Sequence, residues 1–149
     1  MKLKQKYSAG LVIVWNRKVL LLHTTGRGPK KSYGIPKGGL DSGEDNLEAA
    51  IRETYEECGI KVPAKMVNKV EHTFVVTSRK YKYNKVVTYF IVEVNDLRDI
   101  GLKGPDIPKG QLQLEEVDVA GFYDYREAMN LIMQSQAPVI TTLINNGLI

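Results

Sequence analysis

Residues 38–60 read GGLDSGEDNLEAAIRETYEECGI, and this stretch decides how the rest of the chain is understood. Its second half has the marks of a helix. Asp45 with Glu48 three residues on has the form of a capping box, and Gly59 is a natural C-terminal stop. Between them Leu47, Ala50, Ile51, Thr54 and Cys58 recur at helical spacing. At about 100° per residue, Glu53, Glu56 and Glu57 fall in an arc of roughly 100°, and the apolar residues occupy another centred roughly 120° away. The helix therefore has a core face and a carboxylate face.

Like charges three and four residues apart repel on a helix, so this clustering costs stability unless something positive sits among the carboxylates. A divalent cation is the natural partner. Mg2+, with Mn2+ as a substitute, takes hard oxygen ligands and keeps several waters, which lets carboxylates share it with substrate phosphates. Ala49, one turn before Glu53, leaves room for ions and phosphate. Arg52 lies at the edge of the acidic arc, where its guanidinium can hold a carboxylate in a fixed orientation. The same residues also suit an ordinary solvated helix face, and the helix alone leaves both readings open.

Gly38, then Glu44, then Arg52-Glu53-Thr54-Tyr55-Glu56-Glu57-Cys58-Gly59-Ile60 together resemble the signature of the Nudix hydrolases, a loop-helix-loop. Every polar and glycine position of that signature is matched. Thr54 departs from it, standing where the family usually carries an aliphatic residue. The resemblance implies an α/β fold with a mixed β-sheet sandwiched between helices. It also implies metal-dependent hydrolysis of a phosphoanhydride bond in a nucleoside diphosphate derivative. Glu53, Glu56 and Glu57, with Gly38, match the metal site, Glu53 matches the base of some members, and Glu44 and Arg52 match supporting positions. It extends more weakly over the whole chain, to a Glu followed six residues later by an aromatic, here Glu116 and Phe122.

Composition is consistent with such a protein. The chain has 149 residues, 43% of them hydrophobic, enough for one domain over residues 1–149. No run approaches the roughly 18 apolar residues of a membrane span, and MKLKQKYSAGLVIVWN is too short and broken in its apolar part for a signal peptide. The expectation is a soluble cytoplasmic protein, with no membrane partner, as monomer or homodimer. The single cysteine, Cys58, excludes an internal disulfide and reads as a small core residue. A formal charge of +4 favours anionic ligands. Basic residues gather in Arg27 to Lys31 and Arg79 to Lys85, acidic ones in Glu44 to Glu57, a division that suits a metal-bound polyphosphate.

Periodicity places the remaining elements. Ser8 to Trp15 and Val19 to His23 read as a hairpin around Asn16-Arg17-Lys18, and Thr24 to Gly43 as a long functional loop. Val67 to Thr77 and Lys85 to Val94 read as strands joined by a basic, aromatic hairpin. Asn95 to Gln113 reads as a second long loop, Val117 to Tyr123 as a short strand, Tyr125 to Met133 as a helix, and Pro138 to Ile144 as a helix entered at proline.

Hydrolysing a phosphoanhydride requires a positioned water, a proton acceptor and positive charge against the oxygens that gain charge. Glu53 is one candidate base. Glu116, with Glu115 beside it, is the other, since family members often supply a glutamate from this later loop. Lys37, stiffened by Pro36 and next to two glycines, is the loop cation best placed to meet a phosphate. Within the family, Pro36-Lys37-Gly38, Gly43-Glu44-Asp45, Arg52-Glu53-Thr54 and Lys85-Val86-Val87-Thr88-Tyr89-Phe90 are most similar to the asymmetrical diadenosine tetraphosphate hydrolases. That group often has Trp where this chain has Tyr33 and His where it has Gly39. The resemblance puts Lys85 and Tyr89 near a polyphosphate. Tyr33, Tyr81 and Tyr83 are candidates to stack on a base, and Arg79, Lys80 and Lys82 to meet outer phosphates. Three other readings stand beside the dinucleoside polyphosphate: the 5′ end of RNA; a nucleoside triphosphate, sugar nucleotide or inositol pyrophosphate; and a Nudix fold that only binds a ligand.

Overall fold

The computed structural model describes residues 3–149. Strand β1 (Lys4–Trp15) turns through Asn16 and Arg17 into β2 (Lys18–Thr24). Asn16 and Arg17 have φ of 52° and 58°, the double left-handed turn that matches the twist of a two-residue hairpin. The hairpin is paired only at its base, Val14 with Val19 and Trp15 with Lys18, and then the strands part. β1 runs parallel to β6 (Tyr83–Val94) along its whole length, and β6 is antiparallel to β5 (Asn68–Ser78). β2 pairs instead with β7 (Val117–Tyr123) and the two-residue β3 (Tyr33–Gly34). A further short strand, β4 (Lys37–Gly39), lies antiparallel against Ser8, Ala9 and Gly10 of β1. The parting of β1 from β2 opens a cleft, and β4 forms one wall of it.

Side chains alternate across β1, so it contributes to two cores. Ala9, Leu11 and Ile13 join Phe90 and Val92 beneath Ala49, Ala50 and Cys58 of helix α1 (Asn46–Cys58). Val12 and Val14 join Val87 and Tyr89 beneath Ile132, Ile140 and Leu143. The last two belong to helix α3 (Ala137–Asn145), which follows the short helix α2 (Tyr125–Leu131). The mixed sheet thus lies between helices, as the sequence resemblance implied. No described helix is long and apolar enough to cross a membrane.

The larger differences from expectation lie in segments without periodicity, and smaller ones at the ends of β1, β6 and α2. The loop from Thr24 to Gly43 contains β3 and β4, whose few residues owe their strand form to neighbouring ladders rather than to their own pattern. The segment from Asn95 to Gln113 carries 3-10 turns at Leu97–Ile100 and Lys109–Gln111 and buries Leu97, Ile100, Leu102, Ile107 and Leu112. β1 begins at Lys4 rather than Ser8, because its exposed first residues pair with β6. α2 ends at Leu131, two residues short of Met133.

Candidate active site

Both ends of α1 are fixed by local chemistry. The Asp45 carboxylate accepts a hydrogen bond from the Glu48 amide at 2.8 Å, and Gly59, at φ 71°, donates its own amide to Tyr55 O at 2.8 Å. Thr54, the departure from the signature, is fully buried, and its hydroxyl donates to Ala50 O at 2.8 Å. Its methyl serves the core and its hydroxyl is satisfied within the helix.

Arg52 organises the acidic face. Its Nε and Nη2 donate to the two Glu44 oxygens at 2.8 and 2.9 Å, a bidentate pair, and Nη2 also reaches Gly39 O at 2.9 Å. Nη1 donates to Glu53 Oε1 at 3.0 Å and to Glu56 Oε2 at 3.1 Å. The Glu44 bond, ahead of those to Glu53 and Glu56, holds the guanidinium well above its ordinary range, so Arg52 orients carboxylates and exchanges no proton.

Gly38 lies where the Glu53 carboxylate needs space, since a Cβ built on it would stand 2.1 Å from Glu53 Cδ. The next amide back, that of Lys37, donates to Glu57 Oε1 at 2.9 Å. Burial, with the charges of Glu53 and Glu116 nearby, pushes the Glu57 carboxyl up to about 8. Lys37 is pulled down to about 8 by burial and by Lys85. Lys37 and Tyr89 flank Gly10 on adjacent strands, and a Cβ on Gly10 would lie 2.9 Å from Lys37 Cβ and from Tyr89 Cδ1. Gly10 therefore admits a lysine and a tyrosine side by side.

A cleft of about 350 Å³ opens beside this point, lined among others by Lys37, Glu57, Glu115, Glu116, Gly34 and Gln136. The Gln113 amide donates to Glu57 O at 3.0 Å and the Thr25 amide to Glu116 O at 3.0 Å, so the turn that carries Glu115 and Glu116 is tied to the C-terminus of α1. Of the candidates read from sequence, Glu53, Glu56, Glu57, Arg52, Gly38, Lys37, Lys85 and Tyr89 gather at or beside one another, with Glu115 and Glu116 across the cleft. Tyr33 does not line it, and neither does Tyr89, which is buried in the second core against Phe74. The Tyr33 ring meets Tyr123 edge to face at 5.5 Å and lies 4.9 Å from His23. Tyr83 stacks on Tyr81 at 6.3 Å beneath Lys6 Nζ, and with Arg79 it forms a separate group at the far end of β5 and β6. Gly10 and Gln136, which accepts the Ile35 amide at 2.8 Å, escaped sequence reasoning. The glycine inside an apolar strand run was the available signal for the first.

The face fits a divalent cation by its donor chemistry. Glu53, Glu56 and Glu57 offer hard oxygens on one side of a helix, Gly38 leaves the space clear, and a cation there would return the Glu57 carboxyl to its charged form. Among the described residues no three such groups stand close enough together to hold an ion by themselves. The carboxylates are spread between Arg52 and the Lys37 amide, which suits an ion that retains waters and takes phosphate oxygens.

The chain is similar to known proteins in sequence and in fold. The asymmetrical bis(5′-nucleosyl)-tetraphosphatase of Caenorhabditis elegans is 31% identical over 132 residues, covering 87% of this chain and 94% of that one. The crystal structure of a C. elegans Ap4A hydrolase binary complex superposes with a TM-score of 0.68 at 24% identity, covering 96% of this chain and 97% of that one. An RNA pyrophosphohydrolase of Brucella anthropi is 44% identical over 50 residues, which span 33% of this chain and only 29% of that protein's length. The NUDIX domain profile matches residues 4–142, and the chain belongs to the Nudix family.

Proposed function

We propose that this protein hydrolyses a phosphoanhydride bond in a dinucleoside polyphosphate such as diadenosine tetraphosphate, with Mg2+ as the preferred metal. The observation that carries this reading is the pairing of two lysines, Lys37 and Lys85, beside the acidic face. Their mutual repulsion and burial favour a ligand that brings several negative charges at once. The likeness to the C. elegans tetraphosphatase over nearly all of both chains supports the same substrate.

In this reading Glu53, Glu56, Glu57 and the Gly38 backbone would hold the metal, which supplies charge to the phosphates and lowers the pKa of a water. Arg52 keeps Glu53 and Glu56 oriented. Lys37 and Lys85 meet phosphate oxygens, and Tyr89 packs beside Lys37 to fix its approach. Glu116, with Glu115, faces Glu57 across the cleft and takes the proton of the attacking water, Glu53 being the other acceptor within the same group.

The local match to an RNA pyrophosphohydrolase, together with the exposed Arg79 to Lys82 turn, supports a second reading in which the substrate is the 5′ end of RNA. A panel of diadenosine tetraphosphate, nucleoside triphosphate, a sugar nucleotide and triphosphorylated RNA, each with Mg2+ and with excess chelator, separates the two. ATP plus AMP from the first substrate at the highest kcat/KM supports the proposal. A higher kcat/KM on RNA overturns the substrate, and full turnover in chelator overturns the metal mechanism.

A further inference from the structure

β2 and β7 pair in regular register from Val19–Tyr123 to His23–Val119 and then slip, so that Thr24 lies opposite Val117. Asp118 is the extra residue of this bulge. A bulge bends its strand and frees one residue from the ladder, and it holds its shape only where that residue finds another partner. Asp118 finds His23, with Oδ1 2.5 Å from Nδ1. The other ring nitrogen, Nε2, lies 2.9 Å from the Gly28 carbonyl oxygen. A carboxylate and a carbonyl only accept, so a neutral imidazole satisfies one of them and the imidazolium donates to both.

The surroundings favour that charged form. Burial pulls the ring down, but the Asp118 hydrogen bond, the Gly28 carbonyl and the Asp118 charge outweigh it and raise His23 above its ordinary 6.5. The groups that face the ring are Asp118 on β7, Tyr33 on β3 and the backbone of Arg27 in the following loop. The Ser32 hydroxyl donates to the same Gly28 carbonyl at 2.5 Å. Just before the bulge stand Glu115 and Glu116, and Thr25, two residues after His23, binds that turn twice. Its amide donates to Glu116 O at 3.0 Å and its hydroxyl to Leu114 O at 2.9 Å. The loop after β2 and the turn before β7 are one stitched unit, and His23 is its ionic member.

We propose that His23, as the imidazolium, is a positioning residue for hydrolysis: it holds the Asp118 bulge so that the Glu115–Glu116 turn faces Glu57 and Lys37 across the cleft. The inference rests on the reading that this turn carries the proton acceptor. When the ring loses its proton it no longer donates to both Asp118 and the Gly28 carbonyl and its ionic attraction to Asp118 is gone, so the hold on the turn loosens and kcat falls while substrate binding is retained.

The test follows the His23 ring by NMR through a pH titration of the full chain, beside kcat and KM profiles of wild type, His23→Gln and Asp118→Asn. The chain has two histidines, and His23→Gln assigns the signal. The expected result is a wild-type His23 that titrates above 6.5, a lower value in Asp118→Asn, and a wild-type kcat that declines at the same pH with KM unchanged. Thr25 and Glu116 amide signals shift with that midpoint, a readout that needs no turnover. His23→Gln loses about tenfold in kcat at low pH and shows no decline in that window. A His23 that titrates at or below 6.5, or a His23→Gln profile with the wild-type decline, overturns the proposal. If His23→Gln does not fold, Asp118→Asn decides, since its kcat decline must move down with the His23 titration. Full turnover in both Glu115→Gln and Glu116→Gln would overturn the base reading itself, whereas an inactive Glu116→Gln with a normally titrating His23 would overturn this inference alone.

Discussion

Gly38 lies directly against the Glu53 carboxylate, and a Cβ there would stand 2.4 Å from each of its oxygens. The obstructed group is the far end of a side chain, so Glu53 can swing away and the fold has no need to change. Gly38→Ala should therefore melt within a few degrees of wild type while, on the proposed metal role of Glu53, kcat falls about 10- to 100-fold. Thermal melting and steady-state kinetics on one preparation check this. An unchanged kcat would show that Glu53 does not act from the orientation it has here.

Arg52 spends its guanidinium on Glu44, Glu53, Glu56 and Gly39 O. A lysine keeps the charge but cannot reproduce the fork that binds both Glu44 oxygens. Arg52→Lys should lose about 10- to 100-fold in kcat with a higher metal requirement. Glu44→Gln, which breaks the same bidentate pair from its other side, should resemble it. The double variant should lose little beyond either single one, because both remove one interaction. Additive losses would mean that the pair does not act as a unit.

Much of this was legible in the sequence because it rests on local rules. The cap at Asp45 and the stop at Gly59 follow from spacing, as does the buried Cys58, whose thiol burial pushes up to about 12, whereas Ala49, which spacing set among the carboxylates, is buried in the core instead. β5 has the alternation of a strand covered on one face, and β6 the continuous apolar run of a central strand buried on both. What the sequence did not show depends on distant partners. β3 and β4 are strands only because β2 and β1 lie beside them, and Tyr33 looked like a stacking residue because nothing local places Tyr123 and His23 against it. The parting of β1 from β2 two pairs beyond their turn, which makes the cleft, has no signal in the hairpin sequence.

Glu57 gives a pH dependence of stability with a definite sign. Its carboxyl has an ordinary value of 4.5 and is raised to about 8 in the fold. Between these values the unfolded chain has released a proton that the folded chain keeps, so in excess chelator stability falls as pH rises from about 5 to 8. Lys37, pulled down to about 8, acts in the opposite sense and only above that point. On the proposed metal role of Glu57, Mg2+ should flatten the decline, because it would favour the charged carboxylate and the folded state. Glu57→Gln should remove turnover, keep the Lys37 amide bond through its carbonyl, and melt no lower than wild type at pH 8. A lower melting point at pH 8 in chelator would make Glu57 a structural residue and undo the account of the acidic face.

On the proposed reading, Lys85 bears on substrate length. It lies on β6 opposite Lys6 and two residues beyond Tyr83 on the same face, and it depresses the ammonium of Lys37. A chain of four phosphates can engage Lys37 and Lys85 together, whereas a triphosphate that places its reacting bond at the acidic face has fewer oxygens left for Lys85. Each partly exposed charge contact is worth about 1 kcal/mol, a several-fold change in kcat/KM. Lys85→Ala should therefore weaken kcat/KM on diadenosine tetraphosphate several-fold and on a nucleoside triphosphate less, with the loss mainly in KM. Raising ionic strength should shrink the wild-type preference toward that of the variant, since an exposed contact is screened. Glu57→Gln supplies the contrast, since it should disable both substrates alike. Equal losses on the long and the short substrate in Lys85→Ala would place the lysine at a phosphate common to both and remove it from the basis of chain-length selection.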